Sequence, residues 1–382
     1  MDAQLYLPHQ YGKLVWDRLG AWDYPYFLPA PIPREIPLAG RTLDLVLLAE
    51  HELGLLAGTA ITAGDFELLS RSHRLVEALS SSKIEGTQST LDEVMANEIA
   101  VDMVSDLDLR EVLNHELAAD WAREALNELP ISQRVVLGIQ SRLLANVRGA
   151  ERNPGEIRRS PVWVGGGTSP AEAKFIPPIP HELPALLTDW EQYVNSKPTS
   201  IVLWLALSHY QFETIHPLLD GNGRVGRILI ETQLIASGTL PRQVLGISNY
   251  LSAHRSDYYV NLQLVRERGE MTAWIEFFAK GVLVSAQKAR ALLSALIEIR
   301  HRLMGLLGDR QLVDFLIKNP LPSVGQLTAE LGISQPTAAK YLKRTTELGI
   351  TESRGKSGRG NKERWVVTEV WNRIQELQSA AE

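Results

Sequence analysis

The sequence predicts a mainly α-helical protein that has one short β-hairpin in its middle and a small winged helix at its C-terminal end. Apolar residues recur at intervals of three and four from Leu43 onward, which is typical of helices that bury one face. A Gly- and Pro-rich stretch over residues 155–178 interrupts this spacing. After about Gly308 the spacing changes to that of short, closely joined helices. These observations divide the helical core from the hairpin and the winged helix.

Composition limits the class of protein. The chain has 382 residues, of which 45% are hydrophobic and 22% charged, values that fit two or three folded units rather than a disordered or fibrous chain. The net charge of -6 excludes a chain that coats nucleic acid along its whole length. The sequence has no cysteine, so disulfides, thiolate metal ligands and a cysteine nucleophile are excluded.

No targeting pattern is expected from the sequence. The first residues lack a basic segment followed by an apolar run, and no stretch of about 18 uncharged apolar residues occurs. We therefore expect a cytoplasmic protein that does not contact a membrane. The predicted regions are an N-terminal arm and helical region over residues 1–110, a helical core over residues 111–305, and the winged helix over residues 306–382.

Two β-prone stretches flank a triple glycine within the core region. Val162, Trp163 and Val164 precede the glycines, and Phe175 and Ile176 follow them. This pattern predicts a β-hairpin from about Val162 to Phe175. By contrast, the Pro- and aromatic-rich arm that ends near Arg41 predicts an extended segment lying on a surface.

The C-terminal region carries the pattern of a helix-turn-helix. Ser323 to Gly332 predicts a short helix that ends at glycine, and Ser334 caps a second helix with Pro336 in its first turn. Two helices joined so tightly form a helix-turn-helix. A Gly- and Arg-rich segment over residues 354–364, followed by Trp365-Val366-Val367, would form the wing.

A candidate phosphate-binding loop precedes another predicted helix. Gly221, Asn222 and Gly223 come directly before the helical run, so that backbone N–H groups at the positive end of the helix can converge on an anion. Arg224 and Arg227 lie three residues apart and can both reach phosphate oxygens. The pattern favours a polyphosphate ligand.

The same loop begins with an acid and a base. Asp220 would lie beside the phosphates, which predicts a bridging Mg²⁺ ion, and His216 is a candidate general base. Each feature alone has an ordinary explanation: a capped turn, a structural histidine, or two solvated arginines. Their occurrence together within a short run favours a catalytic site.

The run from His216 to Arg227 resembles the Fic signature His-Pro-Phe-x-Asp-Gly-Asn-Gly-Arg-x-x-Arg, and departs from it only at Leu218, where packing rather than chemistry is expected to change. The likeness extends from about Leu43 to about Val282. It implies a Fic helical core and a protein adenylyltransferase, which transfers AMP from ATP to a Ser, Thr or Tyr hydroxyl of a target protein or of itself. His216 would be the base and Asp220 the Mg²⁺ ligand. The implied ATP-binding residues are Gly221, Asn222, Gly223, Arg224, Gly226, Arg227, Tyr258 and Tyr259.

The resemblance assigns two further roles. The hairpin near Val162 to Phe175 would be the flap that holds a target segment by strand addition, although a plain surface hairpin is the alternative. Tyr258 and Tyr259 would lie near the adenine, with core packing as the alternative.

Residues 81–86, the inhibitory segment, read Ser-Ser-Lys-Ile-Glu-Gly and resemble the inhibitory motif Ser/Thr-x-x-x-Glu-Gly/Asn of this family. The resemblance implies an inhibitory helix that precedes the core, with Glu85 paired to Arg227 so that the γ-phosphate cannot bind productively. The alternative is a capping box formed by Ser82 and Glu85. In some relatives this glutamate instead assists the removal of AMP.

Other functions stay open from the sequence. A DNA-binding regulator would use the basic wing residues and base-reading side chains of the second helix, whereas a protein-docking or homodimer-forming module is the alternative for this region. Fic relatives that transfer other groups are a further alternative, against which the intact loop and Arg227 favour ATP. The wing residues are Arg354, Lys356, Arg359, Lys362 and Arg364, and the helix residues are Gln335, Thr337 and Lys340.

Overall fold

Helices dominate the structure, a computed structural model that describes residues 1–16, 24–63, 66–97, 101–357 and 362–379. The mainly α-helical class predicted from the sequence is confirmed. The helices are α1 (Gly40–Thr62), α2 (Phe66–Ile84), α3 (Leu91–Met95), α4 (Leu107–Ala125), α5 (Gln133–Leu143), α6 (Leu183–Val194), α7 (Ile201–Ile215), α8 (Asn222–Ala236), α9 (Ile247–Ala253), α10 (Arg255–Arg268), α11 (Met271–Leu307), α12 (Arg310–Lys318), α13 (Val324–Leu331), α14 (Gln335–Glu347) and α15 (Thr368–Gln378). The strands are β1 (Gly12–Trp16), β2 (Pro25–Pro29), β3 (Thr351–Ser357) and β4 (Lys362–Val367).

The core is organised around two helices. α7 is buried from Val202 to Ile215 on nearly every side, because α6, α8 and α11 pack around it. α11 is 37 residues long and packs along α1 on one side and on α12 and α15 near its end. α7 and α8 are joined by residues 216–221, the signature loop, so the predicted catalytic loop begins where the most buried helix ends.

Helix α1 is apolar on more than its inward side. It has 23 residues, and an 18-residue window within it has a mean hydropathy of 1.4, so by length and composition alone it could cross a bilayer. Its inward face packs on α11, where Glu52 forms an ion pair with Arg290 and Thr42 donates a hydrogen bond to Glu276 at 2.6 Å. The helix is therefore built into the helical core, and a protein without membrane contact stays a prediction.

The N-terminal arm forms a hairpin, which the sequence analysis did not predict. β1 pairs antiparallel with β2, with Gly12 opposite Pro29. The arm also bonds to the core: Phe27 N donates to Ile176 O at 3.0 Å, and the N-terminal amine donates to Ala171 O at 2.9 Å. The arm thus covers the second half of the predicted flap.

The predicted hairpin from Val162 to Phe175 is wrong as a pair of regular strands. One bridge, between Val164 and Phe175, is all the pairing that these residues form. Gly165 and Gly166 have φ of +68° and +87°, outside the range of a strand. Pro170 then opens a 3₁₀ turn and has no N–H group to donate. The segment is a loop closed by one ladder pair.

The short elements predicted near the C-terminus are present. Ser323 caps α13 with Gln326 as its capping-box partner, and Gly332 ends it with a φ of +66°. Ser334 caps α14. β3 and β4 pair antiparallel ahead of α15. Assignment of this region to the winged-helix class stays a prediction, and so do the region boundaries, the last of which falls within the final turn of α11.

Candidate active site

The signature loop begins with a residue in an unusual backbone conformation. His216 has a φ of 49° and a ψ of 59°, the left-handed region that side chains with a Cβ seldom adopt. The buried end of α7 holds it there, because His216 N donates to Phe212 O at 2.9 Å. The conformation turns the chain away from α7, and such strained positions are concentrated at functional sites.

The orientation of the imidazole leaves one nitrogen available as a base. Nδ1 of His216 lies 3.3 Å from Glu213 O, and since a carbonyl only accepts, Nδ1 carries the proton and donates it. Nε2 then keeps its lone pair. Burial lowers the pKa of His216 to about 3, and the positive charges of Arg158 and Arg266 act in the same direction. The imidazole is therefore neutral near neutral pH.

The N-terminus of α8 has no side-chain cap. The first N–H groups of an α-helix have no intrahelical acceptor, and Gly221, with a φ of +83°, supplies no side-chain acceptor for them, so they can bind an anion. The side chain of Asn222 binds the loop itself: Oδ1 accepts from Leu218 N and Nδ2 donates to Leu218 O, both at 2.9 Å. Asn222 therefore fixes the loop, and the anion cradle comes from backbone groups. Leu218 is fully buried, so the departure from the signature lies in the core.

Arg224 has donors without acceptors. The residue is 5% exposed and lies between Asp220, at 3.4 Å, and Glu111, at 3.7 Å. Its Nε and Nη1 atoms are buried and have no hydrogen-bond partner. Buried donors of a guanidinium group are costly to leave unpaired, so these atoms fit a ligand that brings oxygen acceptors, such as a phosphate.

Asp220 lies at the mouth of this cradle. Its side chain is 39% exposed, and its main-chain oxygen accepts from Gln140 Nε2 at 2.9 Å. Among the described residues, no group of three or more His, Cys, Asp or Glu side chains could hold a metal ion. One carboxylate is enough for Mg²⁺ when phosphate oxygens supply other ligands, so the residues fit a metal that arrives with a nucleotide rather than a resident ion.

Arg158 is a site residue that no sequence pattern predicts. It is 2% exposed, and its guanidinium donates to His216 O at 2.8 Å, to Ile215 O at 3.4 Å and to Pro178 O. Its main-chain N–H donates to Pro217 O at 3.0 Å. One buried cation thus joins the start of the signature loop to Pro178, which follows the predicted hairpin. Because its partners are main-chain carbonyl oxygens, no pattern of residue types in the sequence indicates these bonds.

Glu85 reaches the signature helix, as the resemblance implies. It follows the last residue of α2, and its Oε1 accepts from Arg227 at 2.7 Å. Arg227 is 1% exposed and also donates to Ser81 Oγ and Ser81 O, both at 2.9 Å. The capping-box alternative is wrong, because Ser82 lies in the last turn of α2 and starts no helix.

The Glu85 carboxylate covers the anion cradle. A Cβ placed on Gly223 would lie 2.5 Å from Glu85 Oε1, so the carboxylate stands directly over the first turn of α8. Burial opposes its ionisation, but the charges of Arg227 and Arg224 outweigh burial and hold the pKa of Glu85 below its usual value. A fixed negative charge therefore occupies space that a phosphate would need.

Three residues predicted to bind ATP lie elsewhere around the site. Gly226 faces α7, where an added Cβ would lie 2.5 Å from Glu213 Oε1, so it allows close helix packing. Tyr258 is 1% exposed, and its hydroxyl lies 2.9 Å from His209 Nε2 in the core. Tyr259, at 41% exposed, is the tyrosine of the pair that presents its ring to solvent. ATP contact by these residues stays a prediction.

This combination of a helical fold, an uncapped helix N-terminus with buried arginines and a neutral histidine defines a helical module whose site fits a phosphate-bearing ligand. Two family models match the chain: the Fic/DOC family over residues 130–234 and the Fic/DOC family N-terminal region over residues 43–124. The second ends in the last turn of α4 and the first begins between α4 and α5, and together they contain Glu85 and the signature loop. The chain therefore carries a Fic module, with both its N-terminal part and its core.

Similar proteins support the same assignment. The proteins named Protein adenylyltransferase Fic from Drosophila grimshawi and Drosophila melanogaster are each 33% identical over 207 residues, which is 51% of this chain and 38% of theirs. The match thus spans well under half the length of these relatives. A crystal structure of a Fic family protein from Desulfovibrio desulfuricans has a TM-score of 0.54 at 21% identity, covering 88% of this chain and 98% of that one. That likeness shows the fold.

Proposed function

We propose that the chain is a protein adenylyltransferase that moves AMP from ATP to a hydroxyl of a protein. The observation that carries the proposal is that three features occur in one site. They are the uncapped N-terminus of α8, the Arg224 donors that lack a hydrogen-bond acceptor, and the neutral imidazole of His216. The first two fit the phosphates of a nucleotide, and the third fits a base that accepts a hydroxyl proton. The names of the Drosophila relatives support this activity.

In the proposed reaction, a Ser, Thr or Tyr hydroxyl oxygen attacks the α-phosphorus of ATP. The new O–P bond forms as the bond from the α-phosphorus to the bridging oxygen breaks, pyrophosphate leaves, and the hydroxyl proton passes to Nε2 of His216. Backbone N–H groups of the first turn of α8 and the donors of Arg224 stabilise the negative charge on the phosphate oxygens. Mg²⁺ held by Asp220 would neutralise charge on the phosphates.

Glu85 restrains this reaction in the proposal. Its carboxylate stands over Gly223 and takes the Nη2 group of Arg227, so the γ-phosphate of ATP meets a negative charge in place of a donor. ATP then binds without its α-phosphate in line with the incoming hydroxyl. We further assign docking of the target to the flap segment, residues 162–175, where the bridge between Val164 and Phe175 lies.

The group that is transferred can be tested with labelled nucleotide. Purified protein is incubated with Mg²⁺ and ATP carrying label either on the α-phosphate or on the γ-phosphate, and protein-bound label is counted. We expect label only from the α position, with a mass gain of one adenylyl group, because pyrophosphate leaves. Label from the γ position would show phosphate transfer instead. Incorporation from neither, even without Glu85, would contradict the proposed function.

Arg158 is proposed to position the base. Arg158→Met removes the guanidinium donors to His216 O and Ile215 O, and kcat for AMP transfer is expected to fall by roughly 100-fold while KM for ATP changes little. Arg158→Lys keeps the positive charge but lacks the several donors of the guanidinium group, so its kcat is expected to fall less than that of Arg158→Met. The neighbouring Arg159, whose side chain is 86% exposed, supplies the control Arg159→Met, with an expected kcat equal to that of the parent.

The same variants separate charge from geometry. The groups that act on the His216 imidazole include the cations Arg158 and Arg266 and the anion Glu85. Removing one cation makes the protonated imidazole less unfavourable, so the pKa of His216 should rise in Arg158→Met and stay low in Arg158→Lys. Imidazole NMR signals, assigned by comparison with His216→Ala, measure this directly. An unchanged pKa together with an unchanged kcat would rule out the positioning role.

A further inference from the structure

The C-terminal segment, helices α12 to α15 with β3 and β4, packs on the helix that carries the inhibitory segment. α12 and α15 both lie against α2. Arg71 of α2 donates to Lys318 O at 3.1 Å. Asn249 joins the two parts, because its amide donates to Leu377 O at 2.7 Å and accepts from Ser80 Oγ at 3.4 Å. Ser80 precedes Ser81, which holds Arg227.

The β3–β4 hairpin contacts α3, the helix that follows the inhibitory segment. Arg364 of β4 is 7% exposed and donates to Ala96 O, at the end of α3, at 2.7 Å. Arg354 of β3 forms an ion pair with Asp92 of α3 and lies 5.0 Å above the ring of Trp371. These two wing residues, predicted to touch DNA phosphates, are therefore engaged inside the molecule. Arg359 lies outside the described residues.

A short and well-fixed segment connects α3 to Glu85. Thr87 donates to Glu111 Oε2 at 2.8 Å, and Gln88 N donates to Asp108 Oδ2 at 2.8 Å. Thr90 then caps α3 with Glu93 as its capping-box partner. Gly86, with a φ of +102°, is the point at which the chain leaves Glu85. Few residues thus join α3 to Glu85, and those residues are also held by α4.

The outer face of α14 is basic. Lys340, Lys343 and Arg344 are exposed and lie at helical spacing on one side, whereas Ala338 and Leu342 are buried on the other. Glu347 lies on the same side, 3.9 Å from Lys343, so the three cations outnumber one carboxylate. α14 is also the second helix of the tight helix-turn-helix pair, the element that enters the major groove in DNA-binding proteins built this way. The charge of this face is complementary to the phosphates of a duplex.

We propose that duplex DNA binds the outer face of α14 and the β3–β4 hairpin, and that this binding loosens Glu85 from Arg227. Duplex phosphates compete with Asp92 for Arg354. Both side chains of the Arg354–Asp92 ion pair are exposed, so replacing the carboxylate with a phosphate costs little free energy. Loss of that pair weakens the hold of the hairpin on α3, and with it the fixed position of the inhibitory segment. The inference rests on the proposed AMP transfer, and it names the partner that relieves its restraint.

The experiment measures AMP incorporation by the full chain with and without a short random-sequence duplex at low salt. We expect the duplex to bind in a salt-dependent manner and to raise incorporation by about two- to fivefold. Arg354→Ala should give a similar rise without duplex. The matched control is Arg373→Ala, which breaks an exposed pair with Glu376 within α15 and should leave incorporation unchanged. In Glu85→Gly, duplex should add nothing.

The remaining outcomes each decide one point. A duplex that does not bind, or that binds without raising incorporation while Glu85→Gly is active, overturns the inference and leaves protein docking as the function of this segment. The charge reversals Lys340→Glu and Arg344→Glu together should remove the response to duplex; a response that persists would place the DNA elsewhere. Failure of Glu85→Gly to incorporate AMP would instead count against the proposed function.

Discussion

Replacing Glu85 with glycine is expected to increase AMP incorporation by roughly 10- to 100-fold, the equivalent of one charge-assisted hydrogen bond to Arg227. Arg227 keeps its two bonds to Ser81 after the change, so the guanidinium stays in place, and the Nη2 hydrogen that Glu85 had accepted becomes available to a phosphate. The space over Gly223 opens at the same time. Both changes let the triphosphate bind with its α-phosphate beside His216.

A second variant at this position separates charge from bulk. Glu85→Gln keeps the size of the side chain but lacks its charge, so its incorporation should lie between those of the parent and Glu85→Gly. Incorporation of α-labelled ATP, followed by mass spectrometry of the purified proteins and of a cell extract, gives the rates. Equal labelling of the parent and Glu85→Gly would show that Glu85 restrains nothing.

Replacement of His216 is expected to reduce incorporation in the Glu85→Gly background by about 100- to 10,000-fold, the usual contribution of a general base. The informative variant is His216→Asn, because asparagine tolerates the left-handed backbone that this position requires and offers no base. His216→Ala removes the base as well but adds backbone strain.

The control for this prediction is nucleotide binding. The anion cradle belongs to α8, so His216→Asn should bind ATP as tightly as its parent, which a thermal shift with and without ATP measures. Lost transfer with retained binding supports the assignment of the base. A His216→Asn protein that transfers AMP at the parental rate would require a different proton acceptor.

Much of the site could be predicted because its parts are contiguous. A base, a carboxylate, glycines and two arginines occur in one short run between two helices. Because the connecting loop is short, these groups must lie close together in the folded protein. Glu85 lies 142 residues from Arg227 in the sequence, and no local pattern joins them. Only the family resemblance predicted that pair, and the structure contains it.

The features that were missed depend on tertiary partners. Arg158 acts on carbonyl oxygens, which every residue has, so no residue type marks its partners. Basic residues of the β3–β4 hairpin were expected to face a nucleic acid. Two of them are instead bonded within the protein: Arg354 to the Asp92 carboxylate of α3, and Arg364 to the Ala96 carbonyl at the end of α3. The β-prone residues on both sides of the triple glycine predicted a pair of strands, and Gly165 and Gly166 with positive φ prevented them.

The length of α11 has a mechanical consequence for the whole molecule. At 37 residues it extends roughly 55 Å without a break. Its first half carries Trp274 and Phe278 in the core around α7, and near its far end Ile299 and Leu303 line a cavity with Ile350 and Val367. One continuous helix therefore completes the interior of both the helical core and the C-terminal segment. Cutting α11 in its middle would expose apolar side chains of both regions to solvent.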